Sequence, residues 1–68
     1  MIDEIFVRVY RISKGIFEVR HNNFIIRTLS SFQDLKGYLR WLRDENSALF
    51  VYFDLIGFSN TERKEINL

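Results

Sequence analysis

Side chains able to do acid–base or metal chemistry are few in this chain and widely spaced. Its 68 residues include one histidine, His21, no cysteine, and nine aspartates and glutamates. Asp44 and Glu45 are sequence neighbours, so their carboxylates need not converge as a general acid and base do. The other carboxylates are scattered rather than grouped at the spacing of metal ligands. We therefore expect no enzymatic activity and no bound metal.

Cofactors are equally unexpected. The glycines stand alone at Gly15, Gly37 and Gly57, so the chain has neither a dinucleotide-binding fingerprint nor a P-loop. None of the five serines has an evident base nearby, and all except Ser59 are explained as turn and helix-capping residues. His21 ends a predicted strand, where a structural or solvent-exposed role is expected.

Basic residues are concentrated in the first half of the chain. Residues 8–27 hold five basic side chains and one acid, a balance of five minus one, or +4, although the whole chain has a net charge of only +1. Arg8, Arg20 and Arg27 beside Tyr10 could grip phosphates and stack on bases. The sequence pI of about 8.1 is nevertheless below the values above 9 typical of dedicated nucleic-acid domains. Nucleic-acid binding is therefore a less favoured alternative.

The elements that must position these residues begin with three predicted strands. Residues 5–12 are rich in β-branched and aromatic side chains and end at a turn over residues 13–15. Residues 16–21 and 24–29 flank Asn22 and Asn23, which tolerate the left-handed conformation of a type I′ turn. The two turns predict these pairs: Arg8 with Arg20, Tyr10 with Glu18, Ile12 with Ile16, His21 with Phe24, Arg20 with Ile25, Val19 with Ile26, Glu18 with Arg27, and Phe17 with Thr28.

A helix and a fourth strand follow. Ser30 with Gln33, or Ser31 with Asp34, can cap a helix that runs to about residues 43–45. Its apolar stripe has spacings of three and four and consists of Phe32, Leu35, Leu39 and Leu42. Residues 48–56 form the longest apolar run and predict a central strand with Leu49, Val51, Phe53 and Leu55 on one side. A right-handed crossover would place this strand parallel to the first.

The expected fold is therefore a single α+β domain over residues 1–68, in which one helix packs on one face of a mostly antiparallel β-β-β-α-β sheet. The tail, residues 59–68, either frays or folds back as a fifth strand, with Ile66 opposite Phe53 and Leu68 opposite Val51. The absence of cysteine favours a reducing compartment. The start of the chain does not resemble a signal peptide, and no apolar run approaches 18 residues. A cytoplasmic protein with no membrane contact is expected.

One helix cannot cover both faces of a four-stranded sheet. By the predicted registers, the uncovered face carries Phe6, Tyr10, Ile12, Ile16, Ile25, Phe50, Tyr52, Ile56 and Phe58, interspersed with Arg8, Glu18, Arg20, Arg27 and Asp54. Asp54 is expected to pair with Arg8 or to contact a partner. Soluble monomers seldom expose so large an apolar surface, so the face predicts a binding site. The alternative is that one strand has the opposite parity, or that the tail covers the face.

The favoured function is a non-enzymatic interaction protein that occludes a larger protein or protein complex. Short chains of this kind are often made by phages or mobile elements to block a host complex, including CRISPR machinery. The residues expected to bind the partner, as aromatic anchors and carboxylate-pairing cations, are Arg8, Tyr10, Arg20, Arg27, Phe50 and Tyr52. The alternatives are a homodimer that buries the same face around a two-fold axis and a nucleic-acid-binding protein that uses the basic and aromatic residues of this face.

Overall fold

The computed structural model describes residues 4–67 and confirms the α+β fold. Within this range the elements are β1 (Glu4–Ser13), β2 (Ile16–His21), β3 (Phe24–Leu29), α1 (Phe32–Glu45), β4 (Phe50–Ile56) and α2 (Asn60–Asn67). The strands form one sheet in the order β3-β2-β1-β4, so β4 lies at the edge and the prediction of a central strand over residues 48–56 is wrong. β4 lies parallel to β1, as the crossover rule predicts, and the other two pairings are antiparallel.

Both predicted hairpins are present, with one irregularity in the first. Asn22 and Asn23 have φ angles of 52° and 68°, as a type I′ turn requires. In the β1–β2 hairpin, Arg8 pairs with Arg20 as predicted, but the register shifts near the turn and Ser13, rather than Ile12, lies opposite Ile16. The predicted pair of Ile12 with Ile16 is therefore wrong.

A bulge in β3 changes the second hairpin more substantially. The pairs next to the turn, His21 with Phe24 and Arg20 with Ile25, are as predicted, but the register shifts beyond them. The observed pairs are Val19 with Arg27, Glu18 with Thr28, and Phe17 with Leu29. The predictions that joined Val19 to Ile26, Glu18 to Arg27 and Phe17 to Thr28 are therefore wrong.

The reason for the bulge lies in the core. Ile26 is the extra residue between Ile25 and Arg27, and such an insertion reverses the faces of the side chains beyond it. Leu29 consequently joins Phe17 on the buried side, where it is only 8% exposed. Burying a leucine contributes about 1.5–3 kcal/mol, which offsets the local break in the hydrogen-bond ladder.

Helix α1 begins and ends close to the predicted positions. Of the two proposed caps, Ser31 is the one used, and its Oγ accepts a hydrogen bond from the backbone N–H of Asp34 at 3.0 Å. The predicted apolar stripe faces the sheet, with Leu35 and Leu39 fully buried and Phe32 and Leu42 packed at its margins. The helix ends at Glu45, and the capping residue that follows, Asn46, donates its backbone N–H to the Leu42 carbonyl oxygen.

The predicted fifth strand is wrong, because the tail forms helix α2. Gly57, with φ of 85°, follows β4, and a reciprocal capping box then opens the helix. The backbone N–H of Ser59 donates to Glu62 Oε1 at 2.9 Å, and the N–H of Glu62 donates to Ser59 Oγ at 3.2 Å. Ile66 is buried from this helix rather than paired with Phe53, and Leu68 lies outside the described residues.

The core lies entirely between the sheet and the two helices. It contains Val7, Val9, Phe17, Val19, Leu29, Leu35, Leu39, Leu55, Phe58 and Ile66. Phe58 was expected on the opposite face but is 8% exposed, with its ring 5.6 Å from that of Phe17. It lies beyond the end of β4, after Gly57, so the alternation of that strand does not extend to it.

Candidate docking face

The side of the sheet opposite α1 and α2 is exposed, and we call it the open face. The registers of β1 with β4 and of β2 with β3 place alternate side chains there. Its exposed apolar members are Phe6, Ile16, Ile25, Phe50, Tyr52 and Ile56, between 40% and 61% exposed. Ile12, next to the bulge in β1, is also 53% exposed. Among residues 4–67, no element covers this side of the sheet.

Three of these side chains form an aromatic row across β1 and β4. The rings of Phe6 and Tyr52 stack with centroids 5.1 Å apart, and Phe50 lies 6.5 Å from Tyr52. The row follows from strand geometry, because Phe6 and Tyr52 are direct partners in the parallel ladder and residues two apart on β4 share a face. The result is a continuous apolar ridge in contact with solvent.

Beside the aromatic row lies a tyrosine with a guanidinium stacked on it. The Cζ of Arg20 is 4.7 Å from the ring centroid of Tyr10, within the range of a cation–π contact. Arg20 also forms an ion pair with Glu18. Two separate contacts therefore hold this guanidinium in one orientation.

Arg8 is held much less firmly. Its Nε lies 4.0 Å from Oδ2 of Asp54, and the two side chains are 59% and 64% exposed. The predicted pairing of Asp54 with Arg8 is therefore present, at the outer limit of an ion-pair distance. An exposed pair of this kind contributes little to stability, so the Arg8 guanidinium can exchange its partner.

A hollow of about 250 Å³ lies between the aromatic row and the β2–β3 turn. Its lining combines aromatic, cationic and amide groups from Phe6, Arg8, Tyr10, Arg20, Asn22 and Asn23. Phe6, Asn22 and Asn23 were absent from the predicted partner-binding set. The parity of Phe6 with Arg8 and Tyr10 already places it on the predicted uncovered face, whereas no sequence signal joins the turn to the hollow.

Five of the six predicted binding residues share the open face, and Arg27 does not. Because of the bulge in β3, Arg27 pairs with Val19 and points to the helix side. Its Cζ lies 5.7 Å from the ring of Tyr38 in α1. Its expected place among the exposed arginines of the open face is therefore wrong.

Comparison with known proteins adds no functional information. No protein-family model, curated protein or solved structure matches the chain. Among residues 4–67, no three His, Cys, Asp or Glu side chains group as metal ligands would. In the same range, neither helix has the length and apolar character needed to span a bilayer. The function has to be inferred from the open face itself.

Proposed function

We propose that this protein is a non-enzymatic binding module that docks its open face onto a larger protein and acts by occluding the covered surface. The observation that carries the proposal is the aromatic row of Phe6, Phe50 and Tyr52, which the sheet leaves 45–61% exposed. Aromatic residues and arginine are enriched in protein interfaces, and the open face combines both.

The size of the open face supports a protein partner. A half-exposed large apolar side chain offers roughly 100 Å² of surface, so six of them and Ile12 offer roughly 700 Å² in all. A stable complex buries about 800 Å² on each partner. Apolar surface beyond a few hundred Å² on a monomer commonly marks an interaction site.

The charges favour a protein over a nucleic acid. Arg20 is paired with Glu18, and Arg8 lies near Asp54, so the formal charges of these four groups cancel. Arg27, which would add to a phosphate-binding surface, faces Tyr38. A polyanion would therefore meet two carboxylates beside the two guanidiniums, whereas a protein surface of mixed charge would not be repelled.

The test compares photo-crosslinking from two equally exposed positions on opposite sides of the molecule. Phe50 on the open face and Trp41 on α1 are both 54% exposed, and each is replaced in turn by the photoreactive residue benzoylphenylalanine. We expect Phe50→benzoylphenylalanine to crosslink to one defined protein of the native host and Trp41→benzoylphenylalanine to leave that protein unmodified. Adducts formed only from position 41 would contradict the proposal.

The captured protein is then purified and its affinity measured. Combining Tyr52→Ala with Arg20→Glu should weaken binding at least about 100-fold, since central aromatic and arginine residues dominate interface energies. Trp41→Ala should change the affinity less than about threefold. Equal affinities of the double variant and the parent protein would remove the open face as the docking site.

Two further measurements test the alternative partners of the open face, a second copy of the chain and a nucleic acid. Sedimentation velocity at low micromolar concentration should show a monomer, and a tight dimer that buries the open face would contradict docking onto another protein. Oligonucleotides should show no measurable binding at 50 mM salt, and salt-sensitive binding would instead favour a nucleic-acid partner. That the target is a host defence complex, and the source a phage or mobile element, remains a prediction.

A further inference from the structure

The hollow on the open face brings together two guanidiniums with unequal contacts. Arg20 is fixed by the ring of Tyr10 and by Glu18. Arg8 has only the 4.0 Å contact with Asp54, and its side chain is 59% exposed. The hollow therefore has one cation held in place by the fold and one that can accept a new anion.

We propose that this hollow anchors the protein partner by accepting a glutamate or aspartate side chain of that partner, an inference that rests on the proposed function. The incoming carboxylate replaces Asp54 at Arg8, where the planar guanidinium can bind both of its oxygens. The methylene groups of such a side chain fit against the rings of Phe6 and Tyr10, which also line the hollow.

The charge balance selects a single monoanion. Arg8 and Arg20 lie beside Glu18 and Asp54, so the formal charge of the four groups is zero. A ligand carboxylate that replaces the Asp54 contact leaves Asp54 charged on the neighbouring strand, so the site tolerates one added negative charge and repels more. A phosphate dianion or a phosphodiester chain would bring more negative charge than this site can compensate.

The test uses a free carboxylate ligand and the arginine side-chain signals. The protein is titrated with N-acetylglutamate α-amide, which carries one carboxylate, while the ¹⁵N–¹H Nε resonances of Arg8 and Arg20 are recorded. N-acetylglutamine α-amide is the neutral control of the same shape. We expect saturable shifts of the Arg8 signal and, because Arg20 lines the same hollow, of the Arg20 signal, both half complete at about 10 mM. The glutamine compound should shift neither signal saturably.

Variants distinguish a specific site from a general surface effect. Arg8→Gln should abolish the saturable response, measured on the Arg20 signal, and Arg40→Gln, at an exposed position on α1, should leave it unchanged. Asp54→Asn removes the internal competitor and should tighten binding about two- to fivefold. This gain cannot come from a damaged fold, because partial unfolding would weaken the site.

Three results would overturn this inference. The glutamate and glutamine compounds could shift the signals equally, the Asp54→Asn variant could bind the glutamate compound more weakly than the parent does, or inorganic phosphate could bind more tightly than the glutamate compound. The two proposals can also fail separately. If the captured protein binds the Arg8→Gln variant as tightly as the parent, the anchor is wrong and the docking face stands. If N-acetylglutamate α-amide binds as expected but no partner crosslinks from position 50, the docking proposal fails and the carboxylate site in the hollow is upheld.

Discussion

The ring of Tyr52 in β4 stacks on that of Phe6 in β1, with 5.1 Å between centroids and 16° between planes. Both rings remain substantially exposed, at 45% and 61%. An exposed stack adds about 0.5–1.5 kcal/mol to the stability of the chain that carries it. About half of the surface of these two residues is therefore available to another molecule rather than used in folding.

Residues of the open face should therefore be removable without unfolding the domain. Tyr52→Ala together with Arg20→Glu should lower the free energy of unfolding by only about 1–2 kcal/mol. Phe17→Ala, which removes a ring that is 1% exposed in the core, should cost about 3–5 kcal/mol. Urea denaturation followed by circular dichroism measures both. A double variant that unfolds while Phe17→Ala remains folded would mean that Tyr52 and Arg20, rather than Phe17, belong to the core.

The two serines before α1 should differ in their effect on stability. Ser31 Oγ accepts the Asp34 N–H at 3.0 Å, so Ser31→Ala should lower the free energy of unfolding by about 1 kcal/mol. Ser30 is exposed and precedes the cap, so Ser30→Ala should change stability by less than about 0.5 kcal/mol. Thermal unfolding of the two variants side by side decides between the caps. A larger loss of stability from Ser30→Ala would mean that Ser30, and not Ser31, caps the helix.

Alanine substitution at two glycines should shift stability in opposite directions. A Cβ at Gly37 would meet no atom within 4 Å apart from its chain neighbours and the backbone of its own helix, and alanine favours the helix by about 0.8–1 kcal/mol over glycine. Gly57 has φ of 85°, a conformation that costs other residues about 1–2 kcal/mol. Gly37→Ala should raise the urea midpoint and Gly57→Ala should lower it. A destabilising Gly37→Ala would show that this position is packed rather than open.

Glu62 should make the stability of the domain depend on pH. The backbone N–H of Ser59 and the Arg11 guanidinium hold the pKa of Glu62 below its ordinary value of 4.5. Because the folded state binds this proton less readily than the unfolded chain, Glu62 stabilises the fold above about pH 4.5. That contribution disappears as the pH falls through the lowered pKa of the folded state.

The measurement compares the parent protein with Glu62→Gln, because glutamine can still cap the helix but carries no charge. The difference between their urea midpoints should be constant from about pH 7 to pH 5.5 and should shrink below about pH 4.5. A difference that grows on acidification would mean that the pKa of Glu62 is raised rather than lowered. The other carboxylates are common to both proteins and largely cancel in this difference.

Local patterns account for most of the fold. The two asparagines predict the hairpin because their left-handed conformation is a property of the residues themselves, and the stripe from Phe32 to Leu42 predicts α1 through its spacing alone. The parity of β1, β2 and β4 places five of the six predicted binding residues on the open face. The helix α2 also had a local signal, the Ser59 and Glu62 capping box, which the polar character of the tail obscured.

By itself, then, the sequence determined the order of β1 to β4 and α1, the sheet that joins them, and a surplus of apolar side chains on one side of that sheet. These features depend on residue type and spacing over a few positions. Only the tertiary structure decided the bulge at Ile26, the orientation of Arg27 toward Tyr38, and the burial of Phe58 and of the α2 residue Ile66 in the core. Each of these depends on contacts with residues that are distant in the chain, which local residue type and spacing do not specify.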